Sequence, residues 1–422
     1  MNKHFAWLYV EPFVHISITK YKALLYNTLN GMCLEYSSSK APYNLITQLS
    51  EDDNLLVIGL GEDVLKLSET TLFIEKLRKT FMGDIIHSNV NAQKPIQIKP
   101  IFNVQKDIKT ITDAKKSFIG TKIMEELSDI TIYINDYCSL NCLNCQESYK
   151  QFLYCHKSSN TNQSKEIDIK TIEFILESLR AAPIKTIKIS GGNILKYSKL
   201  KKLYDLFEYF KIIPEFCIYY ENIVNDTDEA LIQFADRNVN FIVFLDNTID
   251  SQSIIKITSS IASEKITFIY IVSEIADVER GGNLLNDLGV NNCVFLPYYN
   301  SNNLPFFQKY VFVDKKSVFA GKPSMSEIHA RMVINPFSFG KLQIMTNGDV
   351  YANINENILG NIRDLSLCEI AYKSMIEITS WKKTRDCVLP CNSCIYRYLC
   401  PPISNYEYAI GKFNLCKISN QK

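Results

Sequence analysis

Between residues 129 and 297, short apolar runs alternate with longer stretches whose apolar positions recur at helical spacing. The runs show little polar alternation, and in chain order they are ITIYIN, IKTIKIS, FCIYY, FIVFLD, ITFIYIV and CVFLP. Such runs are typical of parallel strands that are covered on both faces. The intervening stretches include DIKTIEFILESLRAA and SKLKKLYDLFEYF. This order predicts an α/β fold with a partial (β/α)6 barrel over residues 129–319, whose active face lies at the carboxyl ends of the strands.

The first 90 residues have a different pattern. Four short strand-like runs come first, AWLYVE, VHISIT, ALLYNT and CLEY, with an Asn-Gly turn before the last. APYNLITQL and ETTLFIEKLRKTFMG follow with the spacing of amphipathic helices. The order predicts an α+β module and resembles PqqD-like modules, which bind a leader peptide by adding it as a strand to an exposed sheet edge. An unrelated winged-helix-like cap is the other interpretation.

Two further segments complete the predicted domain organisation. Residues 91–128 are polar and irregular, which is typical of a connector. After Pro297 the strand–helix alternation stops, and FGKLQIMTNGDVYANINENILGNI reads as a hairpin with an Asn-Gly turn. A cysteine-rich, loop-like end follows, so we place a third module at residues 320–422.

Composition narrows the classes of function. The 422 residues carry a formal net charge of +1, which argues against a strongly basic nucleic-acid-binding surface. No apolar run reaches the roughly 18 residues of a membrane span, and the start lacks the pattern of a signal peptide, so we expect a cytoplasmic protein with no membrane partner. The 13 cysteines are odd in number, and reducing conditions would keep them free of disulfides.

Three of these cysteines lie within eight residues, in the stretch NDYCSLNCLNCQES. Cys138, Cys142 and Cys145 have the order C-x3-C-x2-C and follow the first predicted barrel strand. A structural zinc ion takes four closed ligands, and Cys155 or His156 is available as the fourth. Three thiolates on a [4Fe–4S] cluster instead leave one iron open to a substrate or cofactor.

The spacing and its place after the first strand resemble the signature of radical S-adenosylmethionine enzymes. The resemblance implies a [4Fe–4S] cluster on these three cysteines and S-adenosylmethionine bound at the open iron. It also implies reductive cleavage of that cofactor to a 5′-deoxyadenosyl radical that abstracts hydrogen.

A glycine-rich turn after the second strand is the next landmark of that family. KISGGNIL places Ser190, Gly191 and Gly192 there, with Asn193 where the family usually has a carboxylate. The resemblance implies that this turn contacts S-adenosylmethionine, because glycine lets a backbone approach a ligand closely. Asn144 is a second departure, at a position that is usually aromatic.

One acidic residue extends the predicted cofactor site. Asp246, after the fourth strand, contacts ribose or substrate in one interpretation and caps the following helix in the other.

The C-terminal segment CVLPCNSCIYRYLCPPISNYEYAIGKFNLC resembles the SPASM extension of radical peptide maturases. Cys391, Cys394, Cys400 and Cys416 match its pattern, which implies one auxiliary [4Fe–4S] cluster. A closed tetrathiolate site also suits structural zinc, so that alternative stays open. The positions for a second auxiliary cluster carry Asn353 and Ser404 rather than cysteine, and we expect no such cluster. Cys387 is a spare thiol without an assigned role.

Together these motifs imply a radical enzyme that modifies a ribosomally synthesised precursor peptide. The tail YLCPPISNYEYAIGKFNLC and the Gly-Gly-Asn turn also resemble a subgroup of pseudo-radical-SAM proteins, which accompany a genuine maturase. Asn144, Asn193 and the missing second auxiliary cluster agree with a loss of activity. The alternative hypothesis is therefore a degenerate partner that presents peptide to another radical maturase, and a zinc-stabilised interaction protein is a third. The motifs do not distinguish thioether formation, carbon–carbon crosslinking and epimerisation.

Overall fold

A computed structural model describes most of the chain. The described residues are 5–91, 93–98, 123–140, 142, 145–157, 165–184, 186–225, 237–377 and 380–418. Most of the predicted connector at 91–128 lies outside them, and so does Asn144.

Residues 5–87 form two three-stranded antiparallel sheets and three helices. The strands are β1 Ala6–Val10, β2 Val14–Ile18, β3 Lys22–Asn27, β4 Cys33–Ser37, β5 Val57–Leu60 and β6 Gly83–His87. The helices are α1 Ala41–Ser50, α2 Glu62–Leu65 and α3 Ser68–Lys79. One sheet has the order β2-β3-β4 and the other β5-β1-β6. The four predicted strands and the α+β class of this region are confirmed.

The second sheet contains two strands that the sequence pattern did not predict. Helical spacing predicted one helix as far as Gly83, but α3 ends at Lys79 and Phe81 has a left-handed backbone with φ of 54°. Gly83 then begins β6, and a Cβ there would lie 2.2 Å from the carbonyl oxygen of Tyr9. The predicted helix was too long because Phe81 and Met82, which lie between α3 and β6, continued the apolar spacing of the helix.

The central element is a nine-stranded sheet of order β12-β11-β10-β9-β8-β7-β13-β14-β15. Its strands are β7 Asp129–Tyr133, β8 Thr186–Ser190, β9 Glu215–Tyr219, β10 Asn240–Leu245, β11 Ile266–Val272, β12 Cys293–Pro297, β13 Lys341–Ile344, β14 Asp349–Tyr351 and β15 Gly360–Asn361. The strands β7 to β12 pair as parallel neighbours in chain order. This confirms the six predicted strands and the mixed α/β class, while closure into a partial barrel stays a prediction.

Helices connect and follow these strands. They are α4 Cys145–Gln151, α5 Ile169–Ser178, α6 Leu200–Phe210, α7 Tyr220–Val224, α8 Ser251–Ser260, α9 Ile275–Asp287, α10 Leu304–Tyr310, α11 Lys315–Ala320, α12 Met325–Val333, α13 Leu367–Glu377 and α14 Asn405–Ile410. Two of these helices have an aspartate at the N-cap. The Asp168 side chain accepts a hydrogen bond from the Lys170 amide at the start of α5, and the Asp250 side chain accepts one from the Ser253 amide at the start of α8. The helix α14 lies within the end that the sequence pattern had predicted to be loop-like.

The predicted hairpin after residue 340 is confirmed and has an unforeseen place. β13 and β14 pair antiparallel across the Asn-Gly turn, where Gly348 has φ of 90°. β13 also pairs parallel with β7, with Lys341 opposite Asp129 and Gln343 opposite Thr131. The C-terminal region therefore extends the sheet that carries the cysteine loop.

The two ends of the chain share an interface. β3 is buried on both faces, and its Leu24 and Tyr26 pack against Ile395, Tyr396 and Leu399 of the cysteine-rich segment. The Lys315 ammonium also lies 2.7 Å from the Glu35 carboxylate of β4. This packing joins the N-terminal module to the C-terminal thiols.

None of the helices in the described parts of the chain is long and apolar enough to cross a membrane.

Candidate functional site

The three clustered cysteines lie where β7 ends. The strand stops at Tyr133, Cys138 and Cys142 follow in a loop, and Cys145 begins α4. Cys145 is buried, whereas Cys138 and Cys142 are partly exposed. The carboxyl end of a parallel strand is where side chains of this fold class meet a ligand.

The Gly-Gly turn after β8 holds this loop in place. The Gly192 amide donates to the carbonyl oxygen of Asn135 at 3.0 Å, and the Asn193 amide donates to that of Tyr137 at 2.5 Å. A Cβ on Gly192 would lie 2.0 Å from the Tyr137 oxygen, and one on Gly191, at φ of 154°, would lie 2.5 Å from the Asn135 oxygen. Glycine is required here by the close approach of two backbone segments.

This contact revises the reason given above for the glycines. They were expected to admit a cofactor, but the backbone that approaches them is the cysteine loop itself. The Ser190 hydroxyl donates to the Tyr154 carbonyl at 3.0 Å, and the Asn193 side-chain oxygen accepts from the Leu195 amide at 3.1 Å. Both side chains thus have partners within the chain, and contact of this turn with a cofactor stays a prediction.

The thiols influence one another electrostatically. Burial, and after it the neighbouring Cys138, Cys145, Glu221 and Asp246, together raise the pKa of Cys142 to about 12. Burial and then Cys138 also raise the pKa of Cys145. Thiols and carboxylates that lie this near together disfavour the thiolate unless a cationic centre neutralises them.

Asp246 follows β10 and faces this group. It accepts from the Tyr219 hydroxyl at 2.8 Å and from the Thr248 amide at 3.0 Å. The interpretation of Asp246 as a helix cap is wrong, because Asp250 caps α8. A role in contacting ribose or substrate stays a prediction.

Asn222 is a site residue that the sequence pattern did not reveal. It follows β9 in α7 and is 3% exposed, and its Oδ1 accepts a weak hydrogen bond from the Cys138 thiol at 3.9 Å. Its Nδ2 has no hydrogen-bond partner among the residues that the structure describes. A buried amide without a partner is costly, so this donor is available to a group held by the loop. Its signal in the sequence was a polar residue close after the third strand.

Cys155 and His156 were the candidates for a fourth ligand. Cys155 is buried, and after burial the nearby thiols Cys138 and Cys142 raise its pKa most. The His156 ring packs 4.4 Å from that of Tyr149, and its backbone amide donates to Gly191. The fold thus brings a fourth thiol towards the three, which the spacing alone did not establish.

The four C-terminal cysteines also lie near one another. The pKa of Cys400 is raised to about 12: burial raises it most, Arg385 lowers it, and Cys394, Cys416 and Cys391 raise it. Cysteines up to 25 positions apart in sequence thus belong to one cluster of thiols.

A buried arginine organises this end of the chain. Arg385 donates to the Glu407 carboxylate at 2.9 Å, to the Phe413 carbonyl at 2.9 Å and to the Pro401 carbonyl at 3.1 Å. These bonds draw together the backbone on both sides of Cys400, and the guanidinium places positive charge beside the thiols.

The donor sets can be compared with the metals considered above. Within the described residues, no three His, Cys, Asp or Glu side chains are arranged to hold one metal ion. A zinc ion draws all its thiolates to about 2.3 Å from one centre. A [4Fe–4S] cluster instead takes each thiolate on a different iron, so its sulfur ligands lie farther apart. Both sets consist of thiols alone, a donor chemistry that suits an iron–sulfur cluster and also structural zinc.

Comparison with known proteins finds similarity among solved structures. The chain matches no family model and no curated protein. Among solved structures, Streptococcus suis SuiB bound to its precursor peptide SuiA is similar at 15% identity and a TM-score of 0.48, over 97% of this chain and 100% of that one. SuiB bound to S-adenosylmethionine is similar at 15% identity and a TM-score of 0.45, over 97% of both chains. HydG, a maturase of the [FeFe]-hydrogenase, is similar at 11% identity and a TM-score of 0.21, over 65% of this chain and 55% of that one. Likeness at these levels carries no conclusion about the activity of this chain.

Proposed function

We propose that this protein is a radical S-adenosylmethionine enzyme that modifies a ribosomally synthesised peptide. The observation that carries the proposal is the grouping of Cys138, Cys142 and Cys145 at the carboxyl end of β7. The C-x3-C-x2-C spacing, an all-thiol donor set and the glycine turn that holds the loop agree with one cluster at this place.

In this proposal the three cysteines hold a [4Fe–4S] cluster that binds S-adenosylmethionine. When bound, the cluster and this cofactor supply the radical that abstracts hydrogen from substrate. The chain itself holds and orients them: the glycine turn fixes the loop, Asp246 contacts the ribose, and Asn222 donates its unpaired N–H towards the group on the loop.

The C-terminal thiols have a supporting role in the same proposal. Cys391, Cys394, Cys400 and Cys416 hold one auxiliary [4Fe–4S] cluster, and Arg385 offsets part of its negative charge. Held by these four thiolates, such a cluster would supply a site for electron transfer or would shape the substrate site.

The N-terminal module is proposed to bind the leader of the precursor peptide by strand addition. Among the described residues, the edge strands β6 and β4 each pair on one side only, β6 with β1 and β4 with β3. Such an edge offers backbone donors and acceptors to an added strand.

The test is anaerobic reconstitution with iron and sulfide, followed by an assay for 5′-deoxyadenosine with dithionite and S-adenosylmethionine. We expect the product together with about eight irons per chain, the content of two cubane clusters. Cys142→Ala should abolish the product and remove half of the iron. Cys293→Ala, in β12, is the matched control and should retain both. Failure of the fully iron-loaded protein to form 5′-deoxyadenosine would refute the catalytic proposal.

The alternative is a partner protein that presents peptide to a second radical maturase. Asn193 favours it, because an amide replaces the usual carboxylate and its oxygen is already bonded to the Leu195 amide. On this alternative, Cys142→Ala leaves modification by the partner enzyme intact. Loss of modification by a folded Cys142→Ala protein would exclude it. Zinc without the brown colour of iron–sulfur protein, after anaerobic purification, would support an interaction protein instead.

A further inference from the structure

A cavity of about 260 Å³ lies against one face of β7. Asp129, Thr131 and Tyr133 line it from β7, and residues of β8 and β13 line it on either side. Because alternate residues of a strand share a face, this register makes one continuous polar surface along the sheet. The cavity reaches from the amino end of β7 to Tyr149, in the helix that begins at Cys145.

The charges in this cavity do not balance. Its charged lining residues are Asp129, Lys188 and Lys341. The Lys188 ammonium lies 3.2 Å from the Asp129 carboxylate. This ion pair neutralises the one acidic residue of the lining.

The remaining cation, Lys341, has no carboxylate within ion-pair distance among the residues that the structure describes. Its ammonium lies 5.2 Å from the centre of the Phe337 ring. Burial lowers the pKa of Lys341, Asp129 acts in the opposite direction, and Lys188 lowers it further. A partly buried ammonium without a counter-ion favours binding of an anion.

A second polar group beside Lys341 also lacks a partner. Gln343 is two residues further along the same face of β13, and its buried Oε1 accepts no hydrogen bond within the described part of the chain. A ligand that satisfies both groups offers a carboxylate to Lys341 and an N–H to Gln343. A peptide residue with an acidic side chain provides both.

We infer that this cavity is a specificity subsite, which binds an aspartate or glutamate side chain of the peptide substrate with its carboxylate on Lys341. The inference rests on the proposed function for the identity of the substrate. The lining of this cavity includes none of the three clustered cysteines, the glycine turn or Asp246, so the cavity is distinct from the proposed cofactor site.

The test uses the full-length, anaerobically purified protein and two capped amino acids, N-acetyl-glutamate amide and N-acetyl-glutamine amide. Ligand-observed NMR measures their binding. We expect saturable binding of the capped glutamate that is about tenfold or more tighter than that of the capped glutamine, since a charge-assisted bond is lost in the latter. Lys341→Met should remove this preference and Lys341→Arg should keep it. Lys66→Met, in an exposed pair with Glu62, is the matched control.

A second measurement needs no variant. Lysine acetylation followed by mass spectrometry should show that the capped glutamate slows modification of Lys341, while Lys66 reacts at an unchanged rate. Equal binding of both probes, no binding of either, or a glutamate preference that persists in folded Lys341→Met would overturn the inference. Neither measurement requires radical chemistry, so the subsite can fail while 5′-deoxyadenosine still forms, and the reverse.

Discussion

Gly192→Ala tests whether the glycine turn holds the cysteine loop. The new Cβ would lie 2.0 Å from the Tyr137 carbonyl oxygen and 2.5 Å from its carbon. No rotation relieves a contact made by Cβ with a backbone carbonyl, so the loop that begins at Asn135 must move away.

The cost follows from the bonds that hold the two segments together. Displacement weakens the hydrogen bonds from Gly192 to Asn135 and from Asn193 to Tyr137, worth about 1 kcal/mol each. Overpacking adds about 1–3 kcal/mol. We therefore expect a loss of about 3–5 kcal/mol in local stability, and we expect Cys138 to shift out of position because it directly follows Tyr137.

The assay compares Gly192→Ala with Gly282→Ala. Gly282 lies inside α9, and an added Cβ meets no atom within 4 Å, so alanine there should stabilise by about 1 kcal/mol. Iron content after anaerobic reconstitution is the main readout, and thermal unfolding is the second. We expect Gly192→Ala to lose the iron of the first cluster, to keep that of the C-terminal cluster and to unfold at lower temperature.

Full iron content and an unchanged unfolding midpoint in Gly192→Ala would refute this reasoning. Loss of iron in Gly282→Ala as well would show that the readout reports general damage.

Three further predictions concern other parts of the chain. Arg385→Met leaves the Glu407 carboxylate buried without its partner and should cost about 3–5 kcal/mol, with loss of the C-terminal iron; Lys66→Met, in an exposed pair, should change neither quantity. Burial lowers the pKa of His15 from 6.5 to about 4, so its neutral form stabilises the fold above pH 6.5, and roughly 3 kcal/mol is lost as pH falls to 4. Urea unfolding at each pH should show a flatter profile for His15→Leu, and an unchanged profile contradicts the assignment. Asn222→Leu should stabilise the iron-free chain, because it removes an unpaired amide, yet lower the iron affinity of the reconstituted protein; unaltered affinity contradicts the proposed donor role.

Local pattern predicted most of the central sheet. Runs such as FIVFLD and ITFIYIV are apolar on both faces. A strand that is buried on both faces needs apolar residues at nearly every position, so such runs are easily recognised in the sequence. β5 and β6 escaped prediction because each lies next to a helix, whereas β1 to β4 follow one another along the chain without an intervening helix.

The site was predicted in part for a similar reason. The spacing of Cys138, Cys142 and Cys145 is a local property, and so is the Ser-Gly-Gly-Asn turn. Asn222 and Lys341 carry no such pattern, because each lies beside its neighbours only after distant strands pair.

The sequence by itself determined the order of strands and helices, the two cysteine groups and the turn chemistry, since these depend on residues close together in the chain. The tertiary structure decided three further features: the pairing of β13 with β7, the fit of Gly192 under Tyr137, and the unbalanced charge around Lys341. Each depends on which backbone edges and side chains remain unpaired when segments more than 50 residues apart meet. Hydrophobic periodicity reports which face of a segment is buried, but not which partner covers it.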